Sequence, residues 1–457
     1  MPILNCPLMS APNVIVFFTD QQRHDSTGAH GNPLGLTPNF DRMAAKGTHL
    51  YNFFTCQPVC GPARSCLQTG QYATQTGCWK NGIPLGENAQ TLAKSFGAAG
   101  YQTGYIGKWH LGNPGSQGAV APDERGGYDY WLAANALEMT SDAYETNLYN
   151  NDGEEIALPG YRVDALTDAA IRFVDEKKGD PFFLFISYLE PHHQNHRDDY
   201  PAPTGYEERY AGAWTPPDLQ ALEGSAARHL PGYWGMVKRL DEALGRLNDA
   251  LISLGLDENT VVLFTSDHGN HFKTRNAEYK RSCHDASIRV PTAISGPGFN
   301  NGGQLRELTS LVDLPPTLLD AANIEVPASM QGRSILPLVN REKIDWPEEI
   351  FVQISESEVG RAVRTHRWKY CVHAPDKNGN RDSGSSHYVE EFLYDLRADP
   401  WELNNLAGFE SHREVADVMK ERLIKRMIEA GEAAPLVENA PSRRAGQRTV
   451  SSAEALE

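Results

Sequence analysis

The sequence predicts an α/β protein: a doubly wound, mostly parallel sheet flanked by helices, followed by a smaller C-terminal α+β domain with an antiparallel sheet. Short apolar runs rich in β-branched and aromatic residues each end in polar residues. Helical stretches lie between them, and the pattern shifts to hairpin-like alternation after Pro337. Strands alternating with helices indicate an open parallel sheet, in which ligands sit beyond the carboxyl ends of the strands.

The first strand is NVIVFFT (13–19), apolar throughout as a strand buried on both faces must be, and it ends at Asp20. YQTGYIG (101–107) ends at Lys108, PFFLFISYLE (181–190) at Pro191-His192, and NTVVLFTS (259–266) at Asp267-His268. Residues 41–46, 91–99, 164–177 and 233–254 read as the intervening helices. QISESEVGRAVRTHRWKYCVHA (353–374) reads as a hairpin turning at Val359-Gly360, HYVEEFLYDL (387–396) as a further strand, and 412–430 as an amphipathic helix. The expected division is a main domain over 1–340, an α+β domain over 341–431, and a flexible tail over 432–457, rich in Ala, Ser, Arg and Glu. Every unusual polar cluster falls at a strand's carboxyl end, which locates the functional site without any family knowledge.

Composition narrows the partners. A formal charge of −17 repels nucleic acid and anionic membranes at long range, and favours a small anionic ligand over a long polyanion. No apolar run reaches 18 residues, so no membrane span is predicted. The opening MPILNCPLMSAPN lacks a basic segment followed by an apolar run. That predicts a cytoplasmic chain as written, and a periplasmic or secreted one if a signal has been removed. The seven cysteines include no paired CxxC motifs, which disfavours zinc, and a chain this long does not need a disulfide framework. Oligomeric state is not legible.

The chemistry-bearing motif is Cys60-Gly61-Pro62-Ala63-Arg64-Ser65-Cys66-Leu67-Gln68-Thr69-Gly70. It resembles the signature of the formylglycine-dependent (type I) sulfatases, Cys-x-Pro-x-Arg followed by Leu-x-Thr-Gly. Thr37 to Ala44, Gly107-Lys108-Trp109-His110-Leu111-Gly112, Ile288-Arg289-Val290-Pro291 and Leu393-Tyr394-Asp395-Leu396 resemble further family segments in the family's order. The resemblance spans roughly residues 12 to 407 and implies the alkaline-phosphatase-like fold. It also implies hydrolysis of a sulfate monoester, expected on a mono- or oligosaccharide, and a maturation enzyme that converts Cys60 to formylglycine.

The resemblance assigns the site residue by residue. Asp20, Gln21, Asp267 and His268, with residue 60, would hold a divalent cation. Calcium suits the hard oxygen donors, while Gln21 and His268 also admit manganese or magnesium. A hydrated aldehyde at residue 60 would attack sulfur, with Asp267 taking its proton. His110 would take the proton that releases sulfate from the covalent intermediate. Arg64, Lys108 and Lys280 would bear the charge of the transferring group, and His192, helped by Lys280, would protonate the leaving alcohol. Arg23, His24, Asp25 and His284 are the expected substrate-facing residues, with Asp285, Trp79 and Trp214 as weaker candidates; packing is at least as good a reading for each. His193 and His196 read as surface residues. The rival readings are a phosphonate or phosphate ester hydrolase of the same superfamily and a non-catalytic sulfated-glycan-binding pseudoenzyme.

Overall fold

The computed structural model describes residues 11–444 and 449–457. Cys6 and the opening segment lie outside the described residues. Five parallel strands form the centre of a ten-stranded sheet: β1 (Asn13–Thr19), β2 (Gln102–Lys108), β3 (Tyr130–Ala134), β4 (Phe182–Ser187) and β5 (Thr260–Ser266). They lie side by side in the order β5-β1-β4-β2-β3, every pair parallel. Shorter strands extend both edges, and several of these run antiparallel.

The alternation within β1 explains the layering. Val14, Val16 and Phe18 join the core on one face of the sheet, while Ile15 and Phe17 join the core on the other. Side chains alternate across a strand, so a strand covered on both faces must be apolar at every position. Helix α1 (Arg162–Lys177) and the long helix α2 (Ala226–Ser253) supply much of the second layer through Val163, Leu166, Ala170, Leu240, Leu244 and Leu247.

The C-terminal domain is a five-stranded sheet of β6 (Ile350–Ile354), β7 (Gly360–Arg364), β8 (Trp368–His373), β9 (His387–Asp395) and β10 (Leu436–Glu438) in sequential order. Helix α3 (Arg413–Glu429) covers one face with Val415, Met419, Leu423 and Met427. Two expectations change here. The segment expected as one hairpin contains three antiparallel strands. Val359-Gly360 ends the first connection, and a second turn falls between Arg364 and Trp368.

The expected flexible tail is ordered over its described part. Strand β10 pairs in parallel with β9. Residues Ser452–Leu456 form a 3-10 turn whose Glu454 carbonyl accepts the Trp368 indole N–H at 2.7 Å. The physical reason is burial: Val437, Val450 and Ala455 are apolar contacts of the C-terminal core, and composition alone did not reveal them. No described helix is long and apolar enough to cross a membrane.

Candidate active site

The carboxyl ends of β1, β2 and β5 point at one place. Cys60 opens the helix Cys60–Thr69 there and is 2% exposed. A helix N-terminus presents unpaired N–H groups and a partial positive charge. The Asn81 side chain accepts the Gly61 N–H at 2.8 Å. Lys280 Nζ lies 2.8 Å from Cys60 Sγ, His268 Nε2 3.4 Å, and Asp20 Oδ1 3.8 Å. Burial alone would raise the thiol's pKa; Lys108, Lys280 and His268 outweigh it, and the thiol is held well below its usual range. The centre is built for an anion at residue 60.

The donors for a cation converge on the same point. Ligand atoms of Asp20, Cys60, Asp267 and His268 all lie within 4.8 Å of one another. His268 Nδ1 sits 2.9 Å from the Gly269 carbonyl, which can only accept, so the proton is on Nδ1 and the Nε2 lone pair faces the carboxylates. Gln21 Oε1 is buried and has no hydrogen-bond partner, and Gln21 adopts left-handed backbone (φ 67°). Burial and Asp20 together push the Asp267 carboxyl up to about 6. An orphaned amide oxygen, a free imidazole nitrogen and two facing carboxylates fit a divalent cation.

Around this centre the cations are braced. Arg64, one turn along from Cys60, donates to Asp20 (2.9 Å), Asp267 (3.3 Å), Ser187 Oγ (2.6 Å) and the Lys108 carbonyl (3.0 Å). It therefore holds the carboxylates in place from behind. Lys108 Nζ bonds Asp20 at 2.8 Å and Glu138 at 3.1 Å. Lys280 Nζ also lies 3.2 Å from His192 Nε2, and the His271 imidazole donates to the Lys280 carbonyl at 3.0 Å. His192 Nδ1 donates to the His193 carbonyl at 2.6 Å, so Nε2 is the atom presented to Lys280. Burial, then Lys280, lower the His192 pKa. His110 hydrogen-bonds the thiol and, like Gln21 and Arg281, is a non-glycine residue with positive φ (59°). Such backbone clusters at functional sites.

Sequence reasoning missed Glu138. Its carboxylate is buried, 3.1 Å from Lys108 Nζ and 3.9 Å from His110 Nδ1. Burial opposes its ionisation, but Lys108, His110 and His192 overcome this and bring it to about 2. It also missed Asn81 and His271. None lies in a recognisable motif, and nothing along the chain ties Glu138 to Lys108.

The expected substrate-facing residues are each engaged by other side chains. Arg23 is 1% exposed and forks onto Asp25 and Asp218. His24 packs edge-on against His30, and His284 Nε2 meets the Tyr394 hydroxyl at 3.1 Å. Among the described residues none of Arg23, His24, Asp25 or His284 has a hydrogen bond or ion pair with Cys60, His192 or Lys280. Asp285 is tied to Arg364 and Lys369, and Trp214 stacks on Trp234. Trp79 lies beneath the Lys80 ammonium. His196 is a surface residue near Asp142, whereas His193 stacks on His192 at 4.3 Å and packs at a tilt against Tyr279 at 4.4 Å.

The sulfatase family profile matches residues 12–324, most of the chain. The chain belongs to the sulfatase family. This sulfatase also matches the profile of the N-sulphoglucosamine sulphohydrolase C-terminal region over residues 277–429. It is 30% identical to the ulvan-active sulfatase of Formosa agariphila, covering 92% of this chain and 82% of that protein. It is 26% identical to the N-acetylglucosamine-6-O-sulfatase of Bacteroides thetaiotaomicron, covering 87% and 83%. A solved structure of BT4656 with its substrate D-glucosamine-2-N,6-O-disulfate superposes with a TM-score of 0.77 at 24% identity, covering 93% and 99%. The fold is that of the alkaline-phosphatase superfamily, and the protein is a sulfuric ester hydrolase. Sulfatases of this family generally use formylglycine and a divalent metal.

Proposed function

We propose that this sulfatase removes sulfate from a mono- or oligosaccharide monoester, using formylglycine made from Cys60 by a separate maturation enzyme, with calcium at Asp20, Gln21, Asp267 and His268. One observation carries this reading: Lys280, His192, His110 and the cation donors all converge on the Cys60 side chain, whose Sγ marks where the oxygens of a hydrated aldehyde would stand. The relatives named for ulvan, N-acetylglucosamine-6-O-sulfate and glucosamine disulfate support a sugar substrate.

The cation would supply the charge that makes an oxygen on residue 60 nucleophilic near neutral pH. The chain's own groups do the rest. Lys280 and Lys108 offset charge on the sulfuryl oxygens. His192 Nε2, once protonated, gives its proton to the leaving alcohol. His110 takes the proton whose removal lets sulfate depart, and Glu138 faces its Nδ1. Asp267 takes the proton of the attacking oxygen, while Arg64 holds Asp20 and Asp267 in register. The test is mass analysis of the Cys60 peptide in active enzyme, followed by turnover of a panel of sulfated monosaccharides and short oligosaccharides beside an aryl phosphonate. Sulfur should be replaced by oxygen with loss of two hydrogens, and a sulfated sugar should be the best substrate. Full activity with unmodified Cys60, or preference for the phosphonate, would overturn the reading.

A further inference from the structure

A second polar cleft of about 220 Å³ lies where the segment after the cation loop meets the C-terminal domain. Its walls include His24, Tyr51, Arg275, Arg289, Trp401 and Glu402. Among the described residues, no wall residue has a hydrogen bond or ion pair with Cys60, His192 or Lys280. The cleft adjoins the cation loop through Arg23, whose N–H bonds the Tyr233 hydroxyl that in turn donates to the Gln21 carbonyl.

The charges of this cleft do not balance. Its three carboxylates are each satisfied: Asp218 by Arg23, Asp285 by Arg364 and Lys369, and Glu402 by Lys369. Arg23 also binds Asp25. Arg275 and Arg289 form no ion pair among the described residues. Arg275 donates only to the Trp401 and Glu402 carbonyls, and Arg289 only to the Tyr51 carbonyl and Asn52 Oδ1. The walls carry three arginines and three carboxylates, but the carboxylates are already engaged by Arg23, Arg364 and Lys369; with those partners and Asp25 counted, five cations meet four carboxylates, in a chain whose formal charge is −17. Buried charges are ordinarily paired, so unpaired arginines in a cleft call for an anion.

Two further features agree. His24 is 8% exposed, and its Nδ1 has no hydrogen-bond partner, nor has Nε of Arg275 or Arg289. Burial, with Arg289 beside it, holds the His24 imidazole neutral, so it adds a polar atom without adding charge. The volume suits a small hydrated oxyanion and is below that of pockets that enclose larger ligands.

We propose that this cleft is a second oxyanion site, held by Arg275 and Arg289, that takes inorganic sulfate, the product of the reaction. Bound there, sulfate bridges Arg275, which reaches the 401–402 carbonyls of the C-terminal domain, to Arg289 of the main domain. Removing one such charge-assisted contact should weaken binding roughly ten- to a hundredfold.

The test is calorimetric titration of the matured, metal-loaded enzyme with sodium sulfate in a sulfate-free buffer, with a parallel arm using sodium phosphate. Wild type should show two sulfate sites, and the Arg275→Gln/Arg289→Gln double variant only one, with aryl sulfate turnover retained at low sulfate. Because Arg289 also supports the backbone near Tyr51, wild-type crystals soaked in selenate provide a readout independent of any variant: an anomalous peak should stand between Arg275 and Arg289. A single sulfate site in wild type, two sites retained in a folded double variant, binding of phosphate but not sulfate, or selenate only at residue 60 would each overturn the proposal. The selenate peak between Arg275 and Arg289 requires neither turnover nor a sulfate site at residue 60, so its failure is distinguishable from failure of the catalytic assignment.

Discussion

At the scale of single residues, the proposed mechanism gives His192 and His110 different steps. His192 Nε2 lies 3.2 Å from Lys280 Nζ, whereas His110 Nδ1 lies 3.9 Å from Glu138. General acid–base groups contribute roughly 10²–10⁴-fold. In rapid mixing with an aryl sulfate, His110→Ala should release about one equivalent of phenol and then stall, with sulfate retained on the protein. His192→Ala should show no burst and a steeper dependence of rate on phenol pKa. Equal losses for all leaving groups, without trapped sulfate, would remove this division of roles. Glu138 contacts Lys108 and His110, and in the proposed mechanism it bears on the reaction through them. Glu138→Gln keeps the shape and removes the charge, so kcat should fall by roughly 10–100-fold while KM changes little and the burst of phenol survives. Loss of the burst would assign Glu138 to the first step instead.

At the scale of elements, the C-terminal sheet carries a pair of facing carboxyls. Polar atoms of Glu358, just before β7, Cys371 of β8 and Glu391 of β9 lie within 4.8 Å of one another. Burial, then Glu391, raise Glu358 from 4.5 to about 8. A carboxyl whose native pKa is raised favours the native state at low pH. That contribution is complete below about pH 4.5 and is lost as pH rises through about 8. The melting temperature of wild type should therefore fall between pH 5 and 9, and Glu358→Gln should flatten the decline and be the more stable of the two at pH 9. Parallel melting curves for the two proteins at every pH would show that the pair is not coupled to folding.

At the scale of the whole molecule, the C-terminal domain rests against the loops that flank the Cys60 helix. The Gln353 N–H bonds the Cys56 carbonyl, Gln57 Nε2 bonds Ser355 Oγ, and the Asn81 N–H bonds Glu356. The last segment closes that domain. Truncation after Gly431 would expose Trp368 and remove Val437 and Val450 from the core. Burial of each valine contributes roughly 1.5–3 kcal/mol, so a chemical denaturation curve should show a loss of that order or more. An unchanged midpoint would mean that the segment adds nothing to stability.

The parallel strands and the helices between them follow from local pattern, because a strand buried on both faces must be apolar along its whole length. The proposed catalytic set rests on a related pattern. Asp20, His192 and Asp267 follow the end of such a strand, Lys108 is the last residue of one, and Cys60, Arg64 and His110 sit in contiguous motifs. Other features depend on contacts between residues far apart in the chain. Glu138 becomes part of the site only because the turn after β3 returns to Lys108. Arg23 and His284 meet Asp218 and Tyr394, partners that lie far along the chain and that only folding brings to them. The final segment reads as polar and mobile until β9 offers it a strand edge and Trp368 an apolar floor. Periodicity records whether a residue is buried; which distant side chain it meets there is set by the topology of the sheet.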